Sequence, residues 1–130
     1  MPRASPAGLY YEVLVSNWLQ SQGYRTRIRQ RSRRIGEADI VATKGRIFKE
    51  ISFVECKDKD EVKLRDFHRF ASKFKKFLDN EPKAHALLVF RGELHPDVKD
   101  YWKNTMDKDL AERINLKRRT RDHLRRYTKL

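Results

Sequence analysis

Apolar positions along the chain switch between two periodicities, and the switches mark the elements. Over residues 8–22 the apolar side chains Leu9, Val13 or Val15, Leu14, Trp18 and Leu19 recur at helical spacing, and Gly23 supplies a stop. Residues 24–34 alternate instead. Arg25, Arg27, Arg29, Arg31 and Arg33 interleave with Thr26, Ile28, Gln30 and Ser32, which predicts a strand with guanidinium groups along one side. Residues 38–43 and 51–57 read as further short strands joined through a turn at Lys44-Gly45, with 46–50 continuing the second strand or forming an irregular step. Residues 61–78 predict an amphipathic helix. Val62, Phe67, Phe70, Ala71, Phe74, Phe77 and Leu78 make its apolar stripe, and Lys63, Arg65, Arg69, Lys73, Lys75 and Lys76 make its solvated face.

The run Ala84 to Phe90 is apolar throughout and of strand length, as expected of a central strand covered on both faces. His95-Pro96-Asp97 opens another helix, with Val98, Tyr101 and Trp102 inward. Beyond residue 107 the pattern thins to Leu110, Ile114, Leu124 and Tyr127. The predicted fold class is α/β, a mixed central β-sheet flanked by helices. Its helix over 61–78 would cross between parallel neighbours. The expected organisation is one domain over 1–105 followed by a basic extension over 106–130, helical or flexible.

Charge changes this picture more than composition does. The chain of 130 residues carries 31 Lys and Arg against 18 Asp and Glu, a formal net charge of +13. Such an excess points to a polyanion as partner: DNA first, with RNA as the alternative. Arg25, Arg27, Arg29, Arg31, Arg33 and Arg34 suit phosphate oxygens, which a planar guanidinium grips in pairs. Lys117, Arg118, Arg119, Arg121, Arg125 and Arg126 offer a second phosphate-binding surface. No apolar run approaches the ~20 residues needed to cross a bilayer, and the start of the chain has no apolar segment of the kind that directs secretion. No membrane partner is expected, and the expected location is cytoplasmic or nucleoid-associated. The single cysteine, Cys56, excludes an internal disulfide and a cysteine-built zinc site.

The candidate chemistry lies where the strands carry acid. In a strand over 51–57, Phe53, Glu55 and Lys57 share one face. On the preceding strand Asp39 points opposite to Ala38, Ile40 and Ala42. Side by side, the two strands bring Asp39, Glu55 and Lys57 to one point. Two carboxylates there fit Mg²⁺, with Mn²⁺ as an alternative, and the carbonyl of Cys56 offers a further oxygen. Lys57 would either help to deprotonate the attacking water or stabilise charge building on a phosphate. Glu12 lies within the apolar part of the first helix. It is either a surface acid favoured by the helix dipole or a further carboxylate aimed at the metal. Glu-x-Lys alone recurs by chance; its setting between apolar strands and basic elements is what raises its weight.

These residues resemble the PD-(D/E)xK nucleases of restriction-endonuclease-like fold, and among them the archaeal Holliday junction resolvases, over roughly 8–90. The resemblance implies a metal site of Glu12, Asp39, Glu55 and Lys57, and Ser32 lies where the resolvases carry a serine before the Asp strand. It also implies a Mg²⁺-dependent endonuclease, structure-selective in the resolvase manner and acting as a homodimer. The alternative is a nucleic-acid or ribonucleoprotein-binding module that keeps the fold without turnover. Three features depart from the family's pattern: the basic segment after Phe90 is not part of it, and two more lie around the Asp strand. Ala38 stands where a proline would precede the Asp, and fifteen residues separate Asp39 from Glu55.

Overall fold

The structure, a computed structural model, describes residues 6–28 and 38–127, with side chains from residue 8 onward. Its elements in order are α1 (Pro6–Ser21), β1 (Arg25–Ile28), β2 (Ile40–Lys44), β3 (Glu50–Lys57), β4 (Glu61–Val62) and α2 (Leu64–Phe77). There follow β5 (His85–Phe90), β6 (Glu93–Leu94), α3 (Pro96–Asn104), α4 (Lys108–Glu112), β7 (Ile114–Arg118) and α5 (Arg121–Arg125). Five strands form one sheet in the order β1-β2-β3-β5-β7. The first three are antiparallel to their neighbours, whereas β3, β5 and β7 run parallel. The sheet is therefore mixed, and α2 joins the parallel neighbours β3 and β5 as expected. β4 and β6 pair separately as a two-stranded parallel ribbon.

Each face of the sheet is covered by a helix whose apolar spacing matches it. Tyr11, Leu14, Val15, Trp18 and Leu19 of α1 pack on Ile40, Ala42, Val54 and Val89, joined by Leu124 of α5. Phe67, Phe70 and Phe74 of α2 pack on Phe53, Ala86, Leu88 and Phe90 across the other face. The Phe53 ring lies 5.3–6.0 Å from those of Phe70, Phe74 and Phe77, the separation at which aromatic pairs attract beyond their buried area. Because β5 contributes Ala86, Leu88 and Phe90 to one core and Leu87 and Val89 to the other, its unbroken apolar run is explained. Gly23 ends α1 at φ +94°, a backbone region that side chains with a Cβ avoid.

Three expectations are corrected. Of residues 46–50 only Glu50 joins the strand: β3 begins there, and 45–49 form the loop of the β2–β3 hairpin. The predicted helix over 61–78 begins later, at Leu64, because Glu61–Val62 pairs with β6 first. The basic segment expected as a helical or flexible extension over 106–130 is, through its described residues, built into the body of the fold. β7 is the fifth strand of the main sheet, and the fully buried Leu124 ties α5 to α1. The physical reason is the alternation Ile114, Leu116, which gives β7 one apolar side against the α2 core despite its lysine and arginine. Among the described residues no helix is long and apolar enough to cross a membrane.

Candidate active site

The hairpin places the acidic strands as the alternation required. β2 pairs with β3 in a register that sets Ile40 opposite Val54, so Asp39, one step earlier, stands beside Glu55. Ile40 and Val54 point into the α1 core, and alternation turns Asp39, Glu55 and Lys57 toward the α2 side. Both acids are withdrawn from water, Asp39 at 6% and Glu55 at 1% exposure. Asp39 Oδ2 accepts a 2.9 Å hydrogen bond from the backbone N–H of Cys56. That bond locks the carboxylate against the Cys56 peptide, whose carbonyl was the expected additional oxygen ligand.

Glu55 carries the unusual electrostatics. Its Oε1 accepts a 2.9 Å charge-assisted hydrogen bond from Nζ of Lys73 on α2. Its Oε2 is buried and has no hydrogen-bond partner among the described residues. Burial, and next the neighbouring Asp39 charge, push the Glu55 carboxyl above the ordinary carboxylate range, while Lys73 and then Lys57 pull it back. A buried carboxylate whose ionisation is made costlier by a neighbouring acid, and which keeps one open oxygen, seeks a cation. Lys73 meets that demand only in part, because its side chain is 42% exposed and reaches only one oxygen.

Lys73 is the member that residue types did not single out. It lies on the helix face expected to be solvated, yet it follows Phe70 by three residues and precedes Phe77 by four, which sets it on the edge of the apolar stripe. That spacing was the available signal. Asp58 carries no comparable signal in the sequence. It is buried immediately after Lys57 and accepts from Arg91 Nε at 2.6 Å and from an Arg121 guanidinium nitrogen. The hub clamps the end of β3 to the segment after β5 and to α5, and so fixes the backbone that carries Lys57. Asp66 is a further buried acid. Burial works against its ionisation, but the Lys63 backbone N–H and the Lys59 ammonium outweigh that and hold its carboxyl below the usual range.

The other predicted residues divide. Glu12 is buried, at 4% exposure, but on α1, which covers the sheet face opposite to Glu55 and Lys73. Among the described residues no three His, Cys, Asp or Glu side chains form a group able to hold a metal ion, so Glu12 is not gathered with Asp39 and Glu55 into one ligand set. Tyr11, the neighbour of Glu12, is fully buried and donates from its hydroxyl to the Arg119 carbonyl at 2.8 Å; burial, and then the nearby Cys56 and Asp58, push that hydroxyl up. Arg25 and Arg27 are exposed on β1, the edge strand. Arg29, Arg31, Ser32, Arg33 and Arg34 lie outside the described residues.

In the C-terminal surface, Arg121 serves Asp58, and Arg119 lies 5.1 Å over the Trp18 ring. Arg118 pairs with Glu93 and Arg125 with Asp122. Lys117 and Arg126 are exposed. Most of the phosphate contacts expected there are thus engaged with other parts of the chain.

If a divalent ion is held here, Asp39 and Glu55 are the residues whose chemistry suits it, because Glu55 Oε2 is buried and open. Mg²⁺ keeps several waters and commonly needs only one or two protein carboxylates, so the lack of a three-ligand group does not disqualify the pair. No curated protein and no solved structure matches the chain. Residues 11–81, more than half of the chain and a span that holds Glu12, Asp39, Glu55, Lys57 and Lys73, match the model described as uncharacterised protein family UPF0102. The chain belongs to that family, and through it to the restriction-endonuclease-like, PD-(D/E)xK nuclease superfamily.

Proposed function

We propose that the chain is a divalent-metal-dependent endonuclease that hydrolyses phosphodiester bonds in DNA. One observation carries the reading: two buried carboxylates on adjacent strands, Asp39 and Glu55, with Glu55 Oε2 open and Lys57 on the same face. Mg²⁺ or Mn²⁺ bound there would supply charge for the phosphate and acidify the attacking water. The chain's own residues do the rest. Asp39, held by the Cys56 N–H, and Glu55 would be the residues that hold such an ion beside the substrate phosphate. Lys57 stabilises the negative charge that accumulates on the phosphate oxygens or, as the free amine, takes the proton of the attacking water. Lys73 holds Glu55 in place, and a bound ion would compete with it for that carboxylate.

Arg25 and Arg27 on the edge strand, with Lys117 and Arg126, supply phosphate contacts whose strength falls as salt rises. Structure selectivity of the resolvase kind, a homodimer and a nucleoid location belong to the same proposal, and they rest on family resemblance.

A second reading has its own support. Lys73 already occupies one oxygen of Glu55, and no three-ligand group is assembled among the described residues, as suits a binding module that has given up turnover. Incubation of linear and branched DNA with Mg²⁺ or Mn²⁺ separates the two. The wild type cuts, whereas Asp39→Asn and Lys57→Ala each lose on the order of 10²–10³-fold in rate. Cutting that survives both substitutions overturns the proposed centre, and DNA binding without any cutting selects the binding module.

A further inference from the structure

The β2–β3 hairpin ends in the least protected large apolar side chains among the described residues. Ile47 is 87% exposed and Phe48 is 90% exposed. Single exposed apolar residues need no explanation, but two together at the tip of a closed loop do. The loop is built rather than slack. Gly45 sits at φ +99°, and the Phe48 carbonyl oxygen lies 2.5 Å from where a Cβ on Gly45 would be, so the backbone folds onto the glycine. Its base is held from outside the hairpin as well. Lys44 Nζ donates to the Gln22 carbonyl at 3.0 Å and lies 5.1 Å from the Tyr24 ring centre, and the Tyr24 hydroxyl reaches Glu50 at 3.4 Å. Beside the apolar pair stand Arg46 and Lys49, both exposed.

An aromatic ring and a branched aliphatic side chain, presented on an anchored loop between two cations, match one kind of partner. The cations meet phosphates, and the apolar pair meets the face of a base that has lost its stacking neighbour. We propose that loop 45–49 is a nucleic-acid contact in which Phe48 stacks on an unstacked base, with Arg46 and Lys49 on the flanking phosphates. The net charge of +13 makes DNA the favoured occupant over an apolar protein surface.

Such a loop would select an unstacked base in the substrate of the proposed nuclease, and its biological sense rests on that reading. Its geometry is independent of the metal centre. Counting strand residues from Glu55 back to the tip at ~3.3 Å each puts Phe48 roughly 20 Å from the carboxylates. On a duplex that is about six base pairs, so the loop would touch a distortion to one side of the cut rather than the scissile phosphate.

The test uses the full chain without added metal, so that binding is read apart from cutting. Fluorescent linear duplex and branched DNA with unpaired bases at the branch are titrated with wild type, Phe48→Ala and Phe48→Trp at fixed salt. Phe48→Ala should weaken binding to the branched DNA by roughly 10- to 100-fold, with the salt dependence and the thermal midpoint unchanged. Phe48→Trp should bind as wild type does, and the emission of its added indole should be quenched by the branched DNA. Equal affinity of Phe48→Ala and wild type overturns the proposal. So does an added indole whose emission responds to phosphatidylserine vesicles and not to DNA. If the chain never cuts DNA yet Phe48→Ala still loses affinity, the nuclease reading fails and the loop's role stands; cutting with a silent Phe48→Ala gives the reverse.

Discussion

Removing Lys73 should expose how unfavourable the buried Asp39–Glu55 pair is without a cation. In Lys73→Met the alkyl stem is kept and the ammonium is lost, so both oxygens of the buried Glu55 go without that donor. A hydrogen bond to a charged group contributes about 1.5–3 kcal/mol. The Lys73 side chain is 42% exposed and partly screened, which reduces the expected loss to roughly 1–2 kcal/mol. For a chain of this size that lowers Tm by about 4–8 °C in metal-free buffer.

The effect of pH has a definite sign. Burial and Asp39 raise the folded Glu55 carboxyl above its unfolded value, so the fold favours the protonated form. Below the unfolded value both states are protonated and Lys73 matters little. As pH rises through the folded value the ionised acid destabilises the fold, and the ammonium becomes needed. Lys73→Met should therefore be nearly silent in acid and most damaging at neutral and alkaline pH. Glu55→Gln should be neutral or stabilising at pH 7 and should remove the effect of Lys73→Met when the two are combined, with a coupling of about 1 kcal/mol. Thermal unfolding of the four proteins across pH reads all of this. Additive effects of the two substitutions, or a Lys73→Met cost that grows in acid, would refute the reasoning.

Other expectations follow from the packing and the charges. Phe70→Ala removes a fully buried ring from the α2 core and should cost about 3–5 kcal/mol by denaturant titration. Asp58→Asn weakens two arginine bonds at the end of β3; since both arginines are partly exposed, about 1–3 kcal/mol is expected by thermal melt, with a lower rate of DNA cutting because Lys57 is less well held. Arg25→Ala combined with Arg27→Ala should weaken DNA binding and flatten its salt dependence by about two phosphate contacts, measured by titration at several salt concentrations.

The parts of the fold that were legible share one property: their burial is written locally. The Phe67–Phe70–Phe74 spacing marks α2, the alternation around Asp39 and Glu55 marks the hairpin, and the apolar run of β5 marks a strand with two covered faces. β7 was hidden because only Ile114 and Leu116 signal it within a basic stretch, and its pairing with β5 is a long-range contact. The two-residue strands β4 and β6 are too short for any periodicity. At the site, Asp39, Glu55 and Lys57 follow from strand geometry, and the structure adds that both acids are buried. Lys73 was not legible as a partner of Glu55 because it comes eighteen positions later, on the crossover helix itself, so nothing local links the two. Most of the tail's arginines read as phosphate contacts for the complementary reason. A charge pattern cannot tell a guanidinium that meets DNA from one that serves a buried aspartate such as Asp58.

The most direct measurement is anomalous diffraction from crystals of the chain with a short DNA duplex and Mn²⁺. The proposed chemistry predicts a manganese peak in contact with both Asp39 and Glu55 Oε2, a DNA phosphate oxygen on the same ion, Lys57 beside that phosphate, and Lys73 withdrawn from Glu55. DNA bound with no peak between the two carboxylates, and Lys73 still at Glu55, would contradict it.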